Sequence, residues 1–221
     1  MRIIVILIGA IFLLDRRIEM IELQCFHGTT MRAADSILKK GFLPSFDSEK
    51  LRLGNGIYFF GQGGSSDYAI DCAREIERYH HQRGKHTGEY AILSCSVKCE
   101  EDQFFDMYNP EYMEYFHRIR YALYKRKVQD DKDFAYKCAE VADTETMNFI
   151  RECGNVAVIR CPQFFGMFPR EASFKTPNEK RYPKTMVPNI LLVCADSEKA
   201  RIEKIVLIEK GRFDDGFTES V

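Results

Sequence analysis

The order of apolar and polar positions along the chain predicts short strands interleaved with amphipathic helices. Apolar residues recur at helical spacing after Thr30, which we expect to cap a helix that Gly41 ends. The same spacing predicts a helix from Ser66 to His81, and Asn109 followed by Pro110 is typical of a helix start. A further helix is predicted over about 131–152, and strands are predicted over 57–60, 90–97, 104–105, 155–160, 189–194 and 205–208.

Composition favours one domain of the α+β class. The chain has 221 residues, of which 45% are apolar, enough for a single core over residues 20–221 with a helical insertion at about 109–153. Its 32 basic and 33 acidic residues nearly cancel, so no overall field attracts it to nucleic acid or to a membrane. Eight cysteines without the spacing of a disulfide framework predict free, buried thiols in a reducing, cytoplasmic compartment.

The first nineteen residues form a separate apolar segment. The run Ile3–Leu14 is flanked by charged residues and is too short to span a bilayer comfortably, so no stable membrane insertion is expected. No small-x-small cleavage site follows it. Three interpretations stay open: a weak anchor, an extra element packed on the core, or sequence upstream of a true start at Met20.

Two short motifs suggest a nucleotide site. The first is Cys25–Thr30 (CFHGTT), in which an apolar lead-in delivers His27 followed at once by Gly28. The second is Gly54–Phe60 (GNGIYFF), followed by a Gly-rich loop and then by Ser65 and Tyr68. A neutral imidazole can bond a ribose hydroxyl, a glycine lets a flat amide approach the backbone, and an aromatic ring can stack on that amide. This combination suits nicotinamide riboside.

Together these motifs resemble the ADP-ribosyltransferase superfamily, in its poly(ADP-ribose)-polymerase-like branch. The resemblance covers roughly residues 22–80 and implies two small antiparallel sheets packed face to face, with flanking helices and NAD, the substrate, in the cleft. It implies that His27 and the Gly28 backbone hold the ribose and carboxamide, that Tyr58 and Tyr68 sandwich the nicotinamide, and that Ser65 bonds its amide. The expected NAD-binding set is His27, Gly28, Thr29, Gly56, Tyr58, Phe59, Ser65 and Tyr68.

The third element of the family pattern is absent. The family places a Glu, or a Gln in some members, at the start of a late strand, and here the strand begins with Asn189, Ile190 and Leu191. Asn189 and Leu191 share a strand face, so either can occupy the third position. Only Asn189 can bond a ribose hydroxyl, so it joins His27 and Tyr58 as the expected catalytic set, with Leu191 left open. Ile190 is the alternative if a bulge reverses the parity.

The family resemblance, together with the missing Glu or Gln at the third position, predicts transfer of a single ADP-ribose unit to a protein or nucleic-acid acceptor. The compact chain is typical of a bacterial or phage-type effector or toxin, for which an antitoxin or inhibitor protein is an expected partner. Two alternatives stay open: an NAD glycohydrolase toxin, and an inactive module that binds NAD or ADP-ribose.

No metal site is predicted. The candidate ligands lack paired zinc spacing, and adjacent His80 and His81 point apart on a helix. The candidates were His80, His81 and His86, Cys95 with Cys99, and Cys153 with Cys161.

Overall fold

A computed structural model describes residues 19–43, 53–62, 66–86, 88–130, 139–163 and 190–213. Its seven strands form one mixed sheet in the order β4-β5-β6-β2-β1-β3-β7. Most neighbours are antiparallel, but β4 and β5 run parallel. The strands are β1 (Met20–Thr30), β2 (Ile57–Gly61), β3 (Glu89–Glu100), β4 (Phe104–Asp106), β5 (Val158–Gln163), β6 (Ile190–Ala195) and β7 (Arg201–Arg212). The predicted α+β class is therefore observed.

Within the described ranges, four α-helices accompany the sheet: α1 (Met31–Lys40), α2 (Ser66–Gln82), α3 (Pro110–Asp130) and α4 (Ala139–Gly154). The predicted caps are confirmed. The Thr30 hydroxyl accepts from the Ala33 N–H at 3.3 Å, and Gly41 ends α1 with a φ of 77°. Asn109 caps α3 by accepting from the Glu111 N–H at 2.9 Å. Among the described helices, none is long and apolar enough to cross a membrane.

The sheet arrangement corrects one expectation. Two sheets packed face to face were expected from the family resemblance, whereas the described strands form a single sheet. The link between β1 and β2 consists of Cys25 opposite Gly61 and Phe26 opposite Phe60. We call this short ladder the β1/β2 seam. It joins the strands β4-β5-β6-β2 to the strands β1-β3-β7, and these two pairs of residues are the reason that the strands form one sheet.

Core residues lie on both faces of the sheet, because neighbouring residues of a strand point to opposite sides. Phe60 belongs to the larger cluster, beneath α2, α3 and α4, and we call that side the α2 face. Its neighbour Phe59 is fully buried in the second cluster, on the opposite face. The described cysteines are free thiols, six buried and Cys153 exposed, in keeping with the cysteine pattern.

Several predictions fall outside the described residues. These are the apolar segment up to residue 18, Ser65, Asn189 and most of the loop 161–188. The second helix of the insertion is described only from Ala139, later than the predicted start at about 131. The strand predicted at 104–105 is observed at 104–106, and the one predicted at 205–208 is observed as the longer β7 at 201–212. The strand β5 begins at Val158, three residues later than expected.

Candidate active site

His27 lies directly past the β1/β2 seam. Its Nδ1 is 2.8 Å from the carbonyl oxygen of Tyr58 on β2. A carbonyl can only accept, so Nδ1 carries the proton and donates. In the neutral imidazole Nε2 is then left as an acceptor, which is the form needed to bond a ribose hydroxyl.

The surroundings keep this imidazole neutral. Edge contacts join its ring to Phe42 at 5.1 Å and Phe59 at 5.7 Å between centroids. Burial lowers the pKa of His27, and the opposing effects of the Tyr58 carbonyl and the Glu77 carboxylate do not cancel it. The hydrogen bond to Tyr58 thus sets the tautomer of His27, and burial favours its neutral form.

Tyr58 is fixed by the turn that precedes it. Its hydroxyl accepts from the Leu53 N–H at 2.8 Å and donates to the Gly54 carbonyl at 2.9 Å. Burial, followed by the neighbouring Cys194, raises the pKa of Tyr58 far above its ordinary value, so the phenol stays protonated. The ring therefore has one orientation, with its hydroxyl bound to its own turn.

The rings of His27 and Tyr58 pack in different parts of the core. Tyr58 lies opposite Cys194 on β6 and packs on the α2 face. His27 contacts Phe59, which belongs to the opposite face. The two predicted residues are joined through the Tyr58 backbone, because the His27 imidazole bonds the Tyr58 carbonyl. This bond lies where the ladder between β1 and β2 ends.

Packing alone accounts for two of the glycines in the motifs. A Cβ on Gly28 would lie 2.0 Å from the Ala73 carbonyl oxygen, so α2 can approach β1 only at a glycine. Gly56 has a φ of +152°, and a Cβ there would lie 2.7 Å from the Ala195 carbonyl oxygen. Both residues are therefore required by the fold, and their predicted contacts with NAD stay predictions.

The other residues of the predicted NAD set differ in accessibility. Thr29 is half-buried and pairs with Ala91 on β3. Phe59 is fully buried, so its observed role is to support the His27 ring. Tyr68, on α2, is 46% exposed; partial burial, with a smaller effect of Cys72, raises its pKa to about 12. Tyr68 thus offers an accessible ring for stacking.

The first residues of β6 point to opposite faces of the sheet. Ile190 is buried in the cluster of the α2 face, where Tyr58 also packs. Leu191 is half-buried, and its side chain lies 3.0 Å from where a Cβ on Gly61 would stand. By alternation from Phe59, Gly61 and Leu191 share the face of the His27 ring partners.

A polar cluster lies at the end of α2 and joins His80 and His86, which the sequence analysis weighed as metal ligands and rejected, to Glu77, which it did not consider. The Glu77 side chain is 4% exposed, and its Oε2 lies 2.7 Å from His86 Nδ1. His80 Nδ1 lies 3.7 Å from Glu77 Oε1. Burial by itself raises the pKa of Glu77, but the two imidazoles outweigh it and hold that pKa below its ordinary value. The sequence pattern Glu-x-x-His on a predicted helix indicates that Glu77 and His80 are neighbours. It does not indicate that the turn at Gly84 brings His86 next to Glu77.

Arg151 is a second buried polar residue that the sequence analysis did not find. It is 5% exposed on α4, and its Nη2 donates to the Cys194 carbonyl at 2.8 Å. Its charge also favours the thiolate of Cys194 and the phenolate of Tyr58, opposing the larger effect of burial. Nothing in the local sequence of α4 indicates that this arginine, rather than an apolar residue, faces β6.

The similarities to known proteins are few. No protein-family profile matches the chain, and no solved structure matches it. The chain is 27% identical over 121 residues to an uncharacterized protein of Methanocaldococcus jannaschii. The match covers 54% of this chain, and the chain spans about half the length of that relative (53%).

Proposed function

We propose that the protein is a mono-ADP-ribosyltransferase that uses NAD. The observation that carries the proposal is the 2.8 Å hydrogen bond from His27 Nδ1 to the Tyr58 carbonyl at the β1/β2 seam. Burial lowers the pKa of His27 and so favours the neutral imidazole that the proposal needs. The hydrogen bond couples the two motif residues that the family resemblance implies for NAD. The gap between parting strands is also where a flat ligand can reach backbone groups that no ladder partner occupies.

In the proposed reaction, the bond between the nicotinamide nitrogen and the ribose C1′ breaks, and its electron pair leaves with neutral nicotinamide. A nucleophilic atom of the acceptor bonds to C1′ and releases its proton to solvent. His27 Nε2 accepts from a ribose hydroxyl, while the rings of Tyr58 and Tyr68 hold the nicotinamide on the α2 face, so the proposed ligand lies in the gap beyond the β1/β2 seam. The protein contributes orientation and stabilisation of the positive charge that develops on the ribose.

The proposed product carries one ADP-ribose unit. The described part of β6 begins with Ile190 and Leu191, which supply no carboxylate to activate a ribose hydroxyl for elongation. Asn189, outside the described residues, stays the proposed third catalytic residue. A protein or nucleic-acid acceptor, an effector or toxin role with a protein inhibitor, and a cytoplasmic location are parts of the same proposal.

The test is incubation of the whole chain with NAD labelled in the adenylate part, together with a cell extract. We expect label in discrete protein or nucleic-acid bands and release of nicotinamide. His27→Ala should abolish labelling, while the matched control His117→Ala, at an exposed position on α3, should leave it unchanged.

Other results would replace the proposal. Label recovered only as free ADP-ribose would identify an NAD glycohydrolase. Saturable NAD binding without nicotinamide release would identify a binding module. Absence of both binding and turnover would contradict any NAD-dependent function.

A further inference from the structure

We propose that Glu77, His80 and His86, the Glu77 cluster, form a binding site for one divalent transition-metal ion such as zinc. Glu77 and His80 lie on one side of α2, three residues apart, which places their side chains next to each other. His86 follows the turn at Gly84, whose φ is +67°, and returns to the same point. The inference concerns a separate site and does not depend on the NAD proposal.

The spacing of the ligand atoms suits a single ion. One ligand atom from each of the three residues can be chosen so that all lie within 4.8 Å of one another. Glu77 Oε1 is 3.7 Å from His80 Nδ1, and Glu77 Oε2 is 2.7 Å from His86 Nδ1. Ligand atoms around a tetrahedral zinc stand roughly 3.3 Å apart, given bonds of about 2.0–2.1 Å. The two distances involve different oxygens of the Glu77 carboxylate, and each lies within about 0.6 Å of that value, so a small shift of the side chains would bring the ligand atoms around one ion.

The polar atoms of the cluster are incompletely satisfied without a cation. Glu77 is a carboxylate 4% exposed, which is costly unless its charge is balanced. His80 Nδ1 is buried and makes no hydrogen bond within the described part of the chain. An ion between them would accept the lone pair of His80 and offset the charge of Glu77. His86 would release the Nδ1 proton to solvent, or keep it on Nε2 in the other tautomer, and exchange its hydrogen bond with Glu77 for a bond from Nδ1 to the same ion.

The loop that carries His86 is held in place independently of any metal. The His81 Nδ1–H donates to the His86 carbonyl at 3.2 Å, which leaves the His86 ring to face Glu77. His80 and His86 contact each other edge to face, with centroids 5.0 Å apart. The ligands are therefore largely preorganised, so binding needs little rearrangement of the loop.

The donor set selects the class of metal. Two imidazole nitrogens and one carboxylate oxygen suit zinc, cobalt or nickel, whereas magnesium and calcium prefer sites made of oxygen. Three protein ligands leave a fourth position for water or a ligand. The Glu77 γ-carbon lies 3.1 Å from where a Cβ on Gly28 would stand, so the ion would sit beside the β1 motif.

The experiment uses the whole chain after treatment with a chelator. Titration with zinc, followed by calorimetry and elemental analysis, should give one ion per chain, while magnesium and calcium should not bind. Cobalt should give visible d–d bands without a sulfur-to-metal charge-transfer band, because the ligands are nitrogen and oxygen. Binding through cysteines would show that sulfur band and would overturn the assignment.

Variants of the ligands provide the control. His80→Ala and His86→Ala, at half-buried positions, should each weaken zinc binding by more than about 100-fold, since outer-shell changes alone cost about 10- to 100-fold. The exposed control His117→Ala should bind as the wild type does. Circular dichroism checks that each variant is folded. One-to-one binding that survives in both folded ligand variants, or no binding by the wild type, would refute the site.

Discussion

Arg151 and Cys194 are joined inside the core by a hydrogen bond from Arg151 Nη2 to the Cys194 carbonyl at 2.8 Å. The other two guanidinium nitrogens of Arg151, Nε and Nη1, are buried and make no hydrogen bond within the described residues. A buried cation with unsatisfied donors costs free energy that its single bond does not recover. We therefore expect the buried charge of Arg151 to contribute little net stability to the fold.

We expect Arg151→Met to be tolerated better than Arg151→Ala. Methionine fills much of the volume and removes the unsatisfied donors, so it should change the free energy of unfolding by less than about 1 kcal/mol. Both variants lose the bond to the Cys194 carbonyl, but alanine also leaves a cavity and should cost about 2–4 kcal/mol. Urea unfolding measures both, with Arg118→Ala as the exposed control. Equal losses in the two Arg151 variants would mean that the buried charge itself stabilises the fold.

The contact between Gly28 and α2 can be tested by adding one methyl group. Gly28→Ala should lower the free energy of unfolding by more than about 2 kcal/mol, because its Cβ would meet the Ala73 carbonyl oxygen at 2.0 Å and backbone must move. Gly154→Ala is the matched control, since its Cβ would meet only Val156 Cγ2 at 3.4 Å. We expect the control to change stability by less than about 1 kcal/mol. Thermal unfolding measures the stability of both variants. A Gly28→Ala variant as stable as the wild type would contradict the close contact between Gly28 and α2.

Two substitutions at Tyr58 distinguish the effect of its ring from the effect of its hydroxyl. Tyr58→Phe removes the bonds with Leu53 and Gly54 but keeps the ring, so it should cost about 1–3 kcal/mol of stability with little change in NAD affinity. Tyr58→Ala should also weaken NAD binding by more than about 1 kcal/mol, the scale of one aromatic stack. Calorimetry with NAD compares the two folded proteins. Wild-type affinity in the alanine variant would remove Tyr58 from the proposed site.

Local features of the fold were predictable because their causes are local. Thr30 caps α1 with its hydroxyl, and Gly41 ends the helix with a positive φ that glycine adopts readily. Both residue types stand at the ends of an apolar pattern with helical spacing, which is the signal that predicts a helix start and end. Asn109 caps α3 for the same reason. The strand and helix sequence in the described ranges followed from periodicity, with boundaries displaced by a few residues.

Relations between distant segments were not predictable in this way. The short ladder at Phe26 and Phe60 merges the strands into one sheet, and no periodicity encodes which strands become neighbours. The return of His86 to Glu77 depends on the path of the turn at Gly84. The requirement for glycine at position 28 depends on where α2 crosses β1, so the His-Gly motif suggested a ligand contact before a packing contact could be considered.

His27 makes stability depend on pH in a defined direction. Its folded-state pKa lies below the ordinary value of 6.5, so the unfolded chain binds its proton more readily. The stabilising contribution is therefore complete above about pH 6.5 and is lost as the pH falls through the lower folded-state pKa. We expect His27→Gln to reduce the loss of unfolding free energy between about pH 7.5 and pH 5. Urea unfolding at both pH values checks this, with His117→Gln as the control; an unchanged loss in His27→Gln would contradict it.

The last prediction concerns the start of β6. Leu191 is half-buried and shares the face of Phe59, which contacts the His27 ring, whereas Ile190 is buried beneath the helices. We therefore expect a carboxylate introduced at Leu191 to be tolerated and, in the proposed NAD site, to lie on the face from which it can activate a ribose hydroxyl or water. At Ile190 it would be buried without a partner, at a cost of several kcal/mol.

We expect Leu191→Glu to fold and to release nicotinamide from NAD faster than the wild type, with Leu191→Gln, which lacks the charge, as the matched control. Ile190→Glu should be destabilised in urea unfolding, because its buried carboxylate must either lose its hydration or open the cluster beneath α2. Chromatography of nicotinamide gives the rates. Equal rates for the Glu and Gln variants at Leu191 would show that this face of β6 does not adjoin the reacting ribose, and would leave the α2 face, with Tyr58 and Ile190, as the side to which the third position belongs.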